Sequence, residues 1–344
     1  MKRRTALLAL TSLAAALLLG AHGALAQEVT LKIAHFLPPN STAQTKFIEP
    51  WCAKINKESH GRLKCQIYPA MQLGGSPPQL FDQAKDGVAD IVWTVPGYQS
   101  GRFMVSEAFE LPFLFSSAEK GSRALWAYAT KNAQNEFKGV KPIVFHLHDG
   151  AQLHTTHKQI KTLADFKGLK LRGPTRLGTK LIAAFGATPV SMPVPAVPES
   201  MSKGVIDGAM LPWEIVPTIK VDEIAKFHTE TAPGMPKMSN TVFIFGMNQA
   251  KYDSLPADLK KVIDDNSGPE VSAGIGKVWD ATVEPARKLA LARGNSIYVL
   301  PADEYKVWEK AAEGISAEWV KDVTAKGYDG AKLLGEVKAL AAAK

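Results

Sequence analysis

From Val29 to His35 apolar and polar positions alternate, with Val29, Leu31 and Ile33 on one side, the period of a half-buried strand. Pro38, Pro39 and Asn40 break that run, and Ser41 or Thr42 can cap a helix over 43–59 that carries Phe47, Trp51 and Ile55 on one face. Gly61 ends the helix and a second strand follows over 62–68. A Gly-Gly-Ser-Pro-Pro turn leads into a helix over 78–86 closed by Gly87, and a third strand over 89–94 stops at Pro96–Gly97. The alternation then recurs. Strands are predicted over 141–146, 169–172, 187–190, 206–211 and 241–247, with a helical turn from Thr162 and helices over 176–185 and 195–203 between them. The last hundred residues read as helical: 256–265, then 270–293 with a kink at Pro285, then a stripe of Trp308, Ala312, Ile315, Trp319 and Val323 that faces a core. Short loops between strands and helices predict an α/β fold with parallel or mixed sheets, built as two units in series.

The first 26 residues stand apart from this pattern. Lys2, Arg3 and Arg4 precede an Ala/Leu run from Ala6 to Leu19, and Ala24–Leu25–Ala26 offers small residues for cleavage, the build of a secretory signal peptide removed after Ala26. Its apolar run is shorter than the ~17–25 residues of a membrane helix. No cysteine near the cleavage point suggests a lipid anchor, and a soluble, exported protein is expected. Losing three basic residues lowers the formal charge from +8 to +5, spread without an Arg-rich run. Nucleic-acid binding is therefore not supported. At 344 residues, 46% of them hydrophobic, the chain is long enough for about two domains with ample cores.

Two cysteines are present, Cys52 on the first helix and Cys65 on the second strand. Seven helical residues after Cys52 and three extended residues before Cys65 each cover ~10 Å, so a strand returning along the helix would set the two side by side. In an oxidising compartment that predicts a disulfide, the alternative being two separate buried thiols.

The search for local catalytic motifs is negative. There is no nucleophile elbow, zinc-protease motif, phosphate loop or dinucleotide fingerprint, and Gly274–Lys277 lacks the spacing of one. The densest polar feature is 146–157, where His146, His148, His154 and His157 fall within twelve residues. His146 and His148 share a strand face and could chelate, but no Glu or Cys completes a metal set, so they read as polar residues near a cleft. Arg172 ends a strand before Gly173–Pro174. Ligands of α/β sheets bind at the carboxyl ends of strands, where a guanidinium can fork a carboxylate. A solvated or salt-bridged arginine is the plainer alternative.

Taken in order, a set of segments resembles the periplasmic solute-binding proteins of tripartite ATP-independent periplasmic (TRAP) transporters, the dicarboxylate-binding-protein-like family. They are Ala34–His35, Gln72–Gly75, Asp86–Gly87, Ala89–Ile91, Leu111–Phe115, the 160–172 run ending Lys170–Leu171–Arg172, Gly204–Gly208, Met247–Asn248 and Leu255–Asp258. The resemblance covers essentially the whole chain after residue 26. It implies a non-enzymatic receptor without cofactor or metal, with two lobes about a central cleft. Lobe one would be 27–148 plus 240–282 and lobe two 149–239 plus 283–344, with a long helix around 270–293 spanning both. It implies Arg172 as the carboxylate clamp, hinge closure on an organic acid anion, and delivery to TRAP permease subunits from the periplasm. Supporting contacts are expected from His35, Phe36, Thr94, Tyr98, Gln152 and His154, with Trp213 and Phe243 as apolar walls. The chain departs from sialic-acid-binding members at Ala151 and Leu211, and from metal–keto-acid members at Met210–Leu211. Those apolar substitutions favour a monocarboxylate with an apolar or aromatic body over a four-carbon dicarboxylate, which would need a second cation from Lys170, Arg176 or Lys180. Other readings are a receptor serving a sensor or an ATP-driven importer and, further off, a secreted hydrolase or lyase.

Overall fold

The computed structural model describes residues 28–343, so the segment read as a signal peptide lies outside the described residues. Among the described residues eleven strands form two sheets. The first runs β2–β1–β3–β10–β4, from β1 (Val29–His35), β2 (Leu63–Tyr68), β3 (Ile91–Thr94), β4 (Val140–Leu147) and β10 (Val242–Asn248). The second runs β11–β9–β5–β8–β6–β7, from β5 (Ala151–Thr155), β6 (Lys170–Gly173), β7 (Thr188–Ser191), β8 (Gly208–Pro212), β9 (Phe227–Glu230) and β11 (Ser296–Val299). Each sheet has parallel pairs and one strand antiparallel to both neighbours: β10 between β3 and β4, and β5 between β8 and β9. In chain order β10 follows nine strands, five of them in the second sheet, so the backbone returns to the first sheet to complete it. This is the mixed two-sheet α/β architecture expected from the pattern.

The main helices are α1 (Glu49–Glu58), α2 (Ala118–Asn132), α3 (Arg176–Ala184), α4 (Pro269–Asp280), α5 (Val283–Ala292), α6 (Ala302–Thr324) and α7 (Gly330–Ala342). The stretch expected as one helix around 270–293 is two, α4 and α5, divided at Ala281–Thr282 rather than kinked at Pro285. Proline excludes the carbonyl four residues back, here that of Ala281, while its missing N–H costs nothing in the first turn of a new helix. The division coincides with a change of partner, since α4 packs on α2 and β4 and α5 packs near β11. Asp280, at the end of α4, accepts bonds from Ser117 Oγ, Ala118 N and Glu119 N and so caps the start of α2. The two helices approach closely enough that a Cβ on Gly276 would lie 2.3 Å from the Ala118 carbonyl oxygen.

The Trp308–Val323 stripe is buried along α6, and Trp319 donates to the Met104 carbonyl. The C-terminal helix α7 reaches back to α2, where Glu336 pairs with Lys131 at 2.9 Å. Cys52 and Cys65 are joined by a disulfide with Cα atoms 5.9 Å apart, as β2 runs back beside α1. Among the described residues no helix is long and apolar enough to cross a membrane.

Candidate functional site

Strand β6 is short because Gly173 and Pro174 end it, and this places Arg172 at its carboxyl end with Leu171 turned into the core. Arg172 is 2% exposed. Its Nε donates to the Met192 carbonyl at 3.0 Å and one terminal nitrogen to the Met210 carbonyl at 2.9 Å. The Tyr98 hydroxyl, which accepts from Val194 N at 3.2 Å, lies beside the guanidinium. Among the described residues no Asp or Glu forms an ion pair with it, whereas the nearby Arg176 is held by Glu107 and Asp322. Burial lowers the Arg172 pKa from its usual range but leaves the group a cation. A buried cation without a counter-charge is costly unless an anion completes it.

That anion would arrive from a cavity on which both sheets converge. Phe36, Trp93, Tyr98, His148 and Phe243 line it from the first-sheet side. Ala151, Arg172, Val194, Met210, Leu211 and Glu214 line it from the other. Trp93 stacks on Phe36 and on Phe243, with ring centroids 5.1 and 4.7 Å apart, so one wall is a continuous aromatic face. His148 accepts from Gly150 N at its Nδ1. Burial, then the neighbouring His146 and Arg172, push its pKa down to about 3, so the ring is neutral and carries its proton on Nε2. Across the cleft, Thr175 donates to Glu110, a carboxyl raised by burial to about 8.

Of the residues expected at the site, Arg172, Phe36, Tyr98 and Phe243 come together on this cavity. His35 instead turns inward, where its Nε2 meets Gln44 and its Nδ1 accepts from Leu37 N. Thr94 is buried in β3 opposite Ile244. His154 is buried in β5 with its Nδ1 2.7 Å from that of His228. Gln152 and Trp213 line a separate polar cavity, where Gln152 accepts from Thr231 N and Trp213 Nε1 donates to Glu230. Trp93 and Glu214, on the cavity, were not expected from the sequence. Strand alternation carries the signal for Trp93, since it and Thr94 point to opposite faces and a one-residue phase decides which is seen. Glu214 had no such signal, being a loop residue after β8.

The 146–157 histidines disperse. His146 accepts from Trp93 Nε1, His148 faces the cavity and His154 pairs with His228, while no set of three or more His, Cys, Asp or Glu gathers to hold a metal among the described residues.

Comparison with known proteins places this geometry. Residues 33–322 match the family model for bacterial extracellular solute-binding protein, family 7. A TRAP solute-binding protein from Rhodoferax ferrireducens, solved with copurified benzoate, is 48% identical with a TM-score of 0.90, covering 91% of this chain and 98% of that one. A marine-metagenome TRAP solute-binding protein specific for aromatic acid ligands, solved with 3-hydroxybenzoate, is 47% identical with a TM-score of 0.90, covering 92% and 98%. One from Bordetella bronchiseptica, with bound (R)- and (S)-mandelate, is 27% identical with a TM-score of 0.83, covering 91% and 98%. With the fold, the cleft and a match over nearly the whole described length agreeing, the chain belongs to the family 7 bacterial extracellular solute-binding proteins, the receptors of TRAP transporters.

Proposed function

We propose that this protein captures an aromatic monocarboxylate in the periplasm and hands it to a TRAP permease, without chemical change to the ligand. The observation that carries the reading is Arg172, buried and without a carboxylate partner, opening on a cavity walled by Phe36, Trp93, Tyr98 and Phe243. Its guanidinium forks the ligand carboxylate, and His148 Nε2–H and the Tyr98 hydroxyl are the neutral donors nearest to hand. Removing a ring of roughly 150 Å² from water adds about 4 kcal/mol at ~25 cal/mol per Å².

A dicarboxylate fits less well. Lys170 is exposed, Arg176 is held by Glu107 and Asp322, and Lys180 is held by Glu318 and Asp322. None of these three lines the cavity, so a second carboxylate would be desolvated against apolar walls. The benzoate and 3-hydroxybenzoate bound by the two relatives near half identity support the same ligand class.

Binding works by closure of two lobes, 27–148 plus 240–282 and 149–239 plus 283–344, with α7 leaning back on α2. The chain passes between the sheets after β4, before β10 and at the α4–α5 division, and these three crossings act as the hinge. The ligand draws the lobes together because it contacts both, and excluding water strengthens the Arg172–carboxylate pair. Residues 1–26 direct export and are removed after Ala26. The test incubates the purified protein with benzoate, cinnamate-type acids, short aliphatic acids, succinate and malate, following melting temperature and product together. Stabilisation by aromatic acids without product supports the reading. Product formation, or stabilisation confined to succinate and malate, overturns it.

A further inference from the structure

Among the cavity-lining residues Glu214 is the one acidic side chain, and nothing above uses it. It follows Trp213 just after β8 and precedes the short helix Ile215–Thr218, which sets it between this cavity and a second one that it lines with Thr42. The residue is 5% exposed, and its Oε1 is buried with no hydrogen-bond partner. No Lys, Arg or His forms an ion pair with it among the described residues, unlike Glu107, which Arg176 neutralises. Burial pushes the carboxyl up to about 7, against a smaller opposing pull from the Thr42 hydroxyl. Nearby Asp149, buried and accepting from Trp213 N, is itself held well above the usual carboxylate range, by burial first and then by Glu214, and brings no counter-charge.

A buried carboxyl oxygen left without a partner beside the ligand cavity is a cost that a complementary ligand group removes. The complement cannot be a second carboxylate, which two buried acids would repel. Nor does a bare hydrocarbon ring meet it. A hydroxyl does, because it donates to an ionised carboxylate and equally accepts from a neutral acid, whichever form is present. We infer that Glu214 reads a hydroxyl on the body of the ligand, so that the preferred class is a hydroxylated aromatic carboxylate held by Arg172 at one group and by Glu214 at the other. This rests on the aromatic-monocarboxylate reading above and narrows it. Sites built to bond a hydroxyl discriminate strongly against the analogue lacking it, since the buried polar group is then left unpaired.

The test is calorimetric titration of the full mature chain with benzoate and with 2-, 3- and 4-hydroxybenzoate, repeated for Glu214→Gln and Glu214→Met. The wild-type protein is expected to bind at least one hydroxybenzoate isomer about tenfold or more tightly than benzoate, the worth of one well-made hydrogen bond. Glu214→Met should collapse that ratio to within about threefold of one, while Glu214→Gln, which keeps a donor and an acceptor, should retain part of it. Benzoate bound as tightly as every isomer by the wild type, or a ratio that survives in Glu214→Met, overturns the assignment of Glu214 and leaves the aromatic-acid reading standing. Failure of benzoate and all three isomers to bind the wild type overturns the underlying reading itself.

Discussion

Replacing Arg172 with methionine should separate binding from folding. In the ligand-free protein the side chain makes two charge-assisted carbonyl bonds, to Met192 and Met210, each worth about 1.5–3 kcal/mol. Their loss costs about 3–6 kcal/mol. Against this, an apolar side chain of similar length removes a buried charge that no carboxylate neutralises, a change that is neutral or favourable by about 1–4 kcal/mol. The two contributions partly offset, so the unliganded fold should lose about 2 kcal/mol, a few degrees in Tm for a chain of this size. Binding responds differently. A ligand carboxylate carried into the cavity without its partner is a buried unpaired charge, costing about 3–5 kcal/mol, or between about 100-fold and several-thousand-fold in Kd. Arg172→Lys should recover little of this, because an ammonium cannot reproduce the fork or hold both carbonyls. The assay pairs unliganded melting with calorimetric titration by benzoate. An affinity within tenfold of wild type in Arg172→Met would refute the clamp. A collapse of the unliganded fold would refute the claim that the charge stands uncompensated.

Three further outcomes follow from the same structure. Cys52→Ala/Cys65→Ala should lose about 3 kcal/mol of unfolding free energy, from the loop closed over a sequence separation of 13, as read by denaturant titration; an unchanged midpoint would contradict it. Gly276→Ala should lower stability by at least about 2 kcal/mol, because its methyl meets the Ala118 backbone oxygen rather than a side chain that can move; a neutral effect in thermal melts would mean α4 and α2 are less closely joined than described. Glu110 is raised from 4.5 to about 8 by burial, so between those values the folded state holds a proton that the unfolded state has released. Its contribution therefore makes stability fall as pH rises from about 5 to 8, and Glu110→Gln should flatten that slope; an unaltered pH profile of Tm would show the carboxyl to be ionised in the fold.

Much of this architecture was legible in the sequence, and the failures have physical causes. Strands flanked by glycine and proline, such as Lys170–Gly173, and helices with a clear apolar stripe, such as α6, declare themselves because alternation or 3.6-residue spacing survives in them. Strand β5 does not: all five of its residues are buried, yet three of them, Gln152, His154 and Thr155, are polar, and a pattern that equates polar with exposed cannot see it. Strand β9 hides in the same way, with polar His228, Thr229 and Glu230 all buried. At the site, the strand end alone left a solvated or salt-bridged Arg172 open, and the resemblance at Lys170–Leu171–Arg172 singled it out; the structure sets it buried on the cavity. The neighbouring walls turned on a one-residue phase, which set Phe36 and Trp93 on the cavity and His35 and Thr94 away from it. Trp213 was expected as a wall, but its indole N–H is satisfied by Glu230, and that bond orients the ring toward the second sheet.

A crystal structure of the mature protein with benzoate shows whether a ligand carboxylate supplies the charge Arg172 lacks. One benzoate is expected in the cavity, with both carboxylate oxygens about 2.7–2.9 Å from Arg172 nitrogens and the ring against Trp93 and Phe243. Benzoate bound with its carboxylate directed away from Arg172, or a closed cleft that excludes it, would mean that Arg172 is not the clamp.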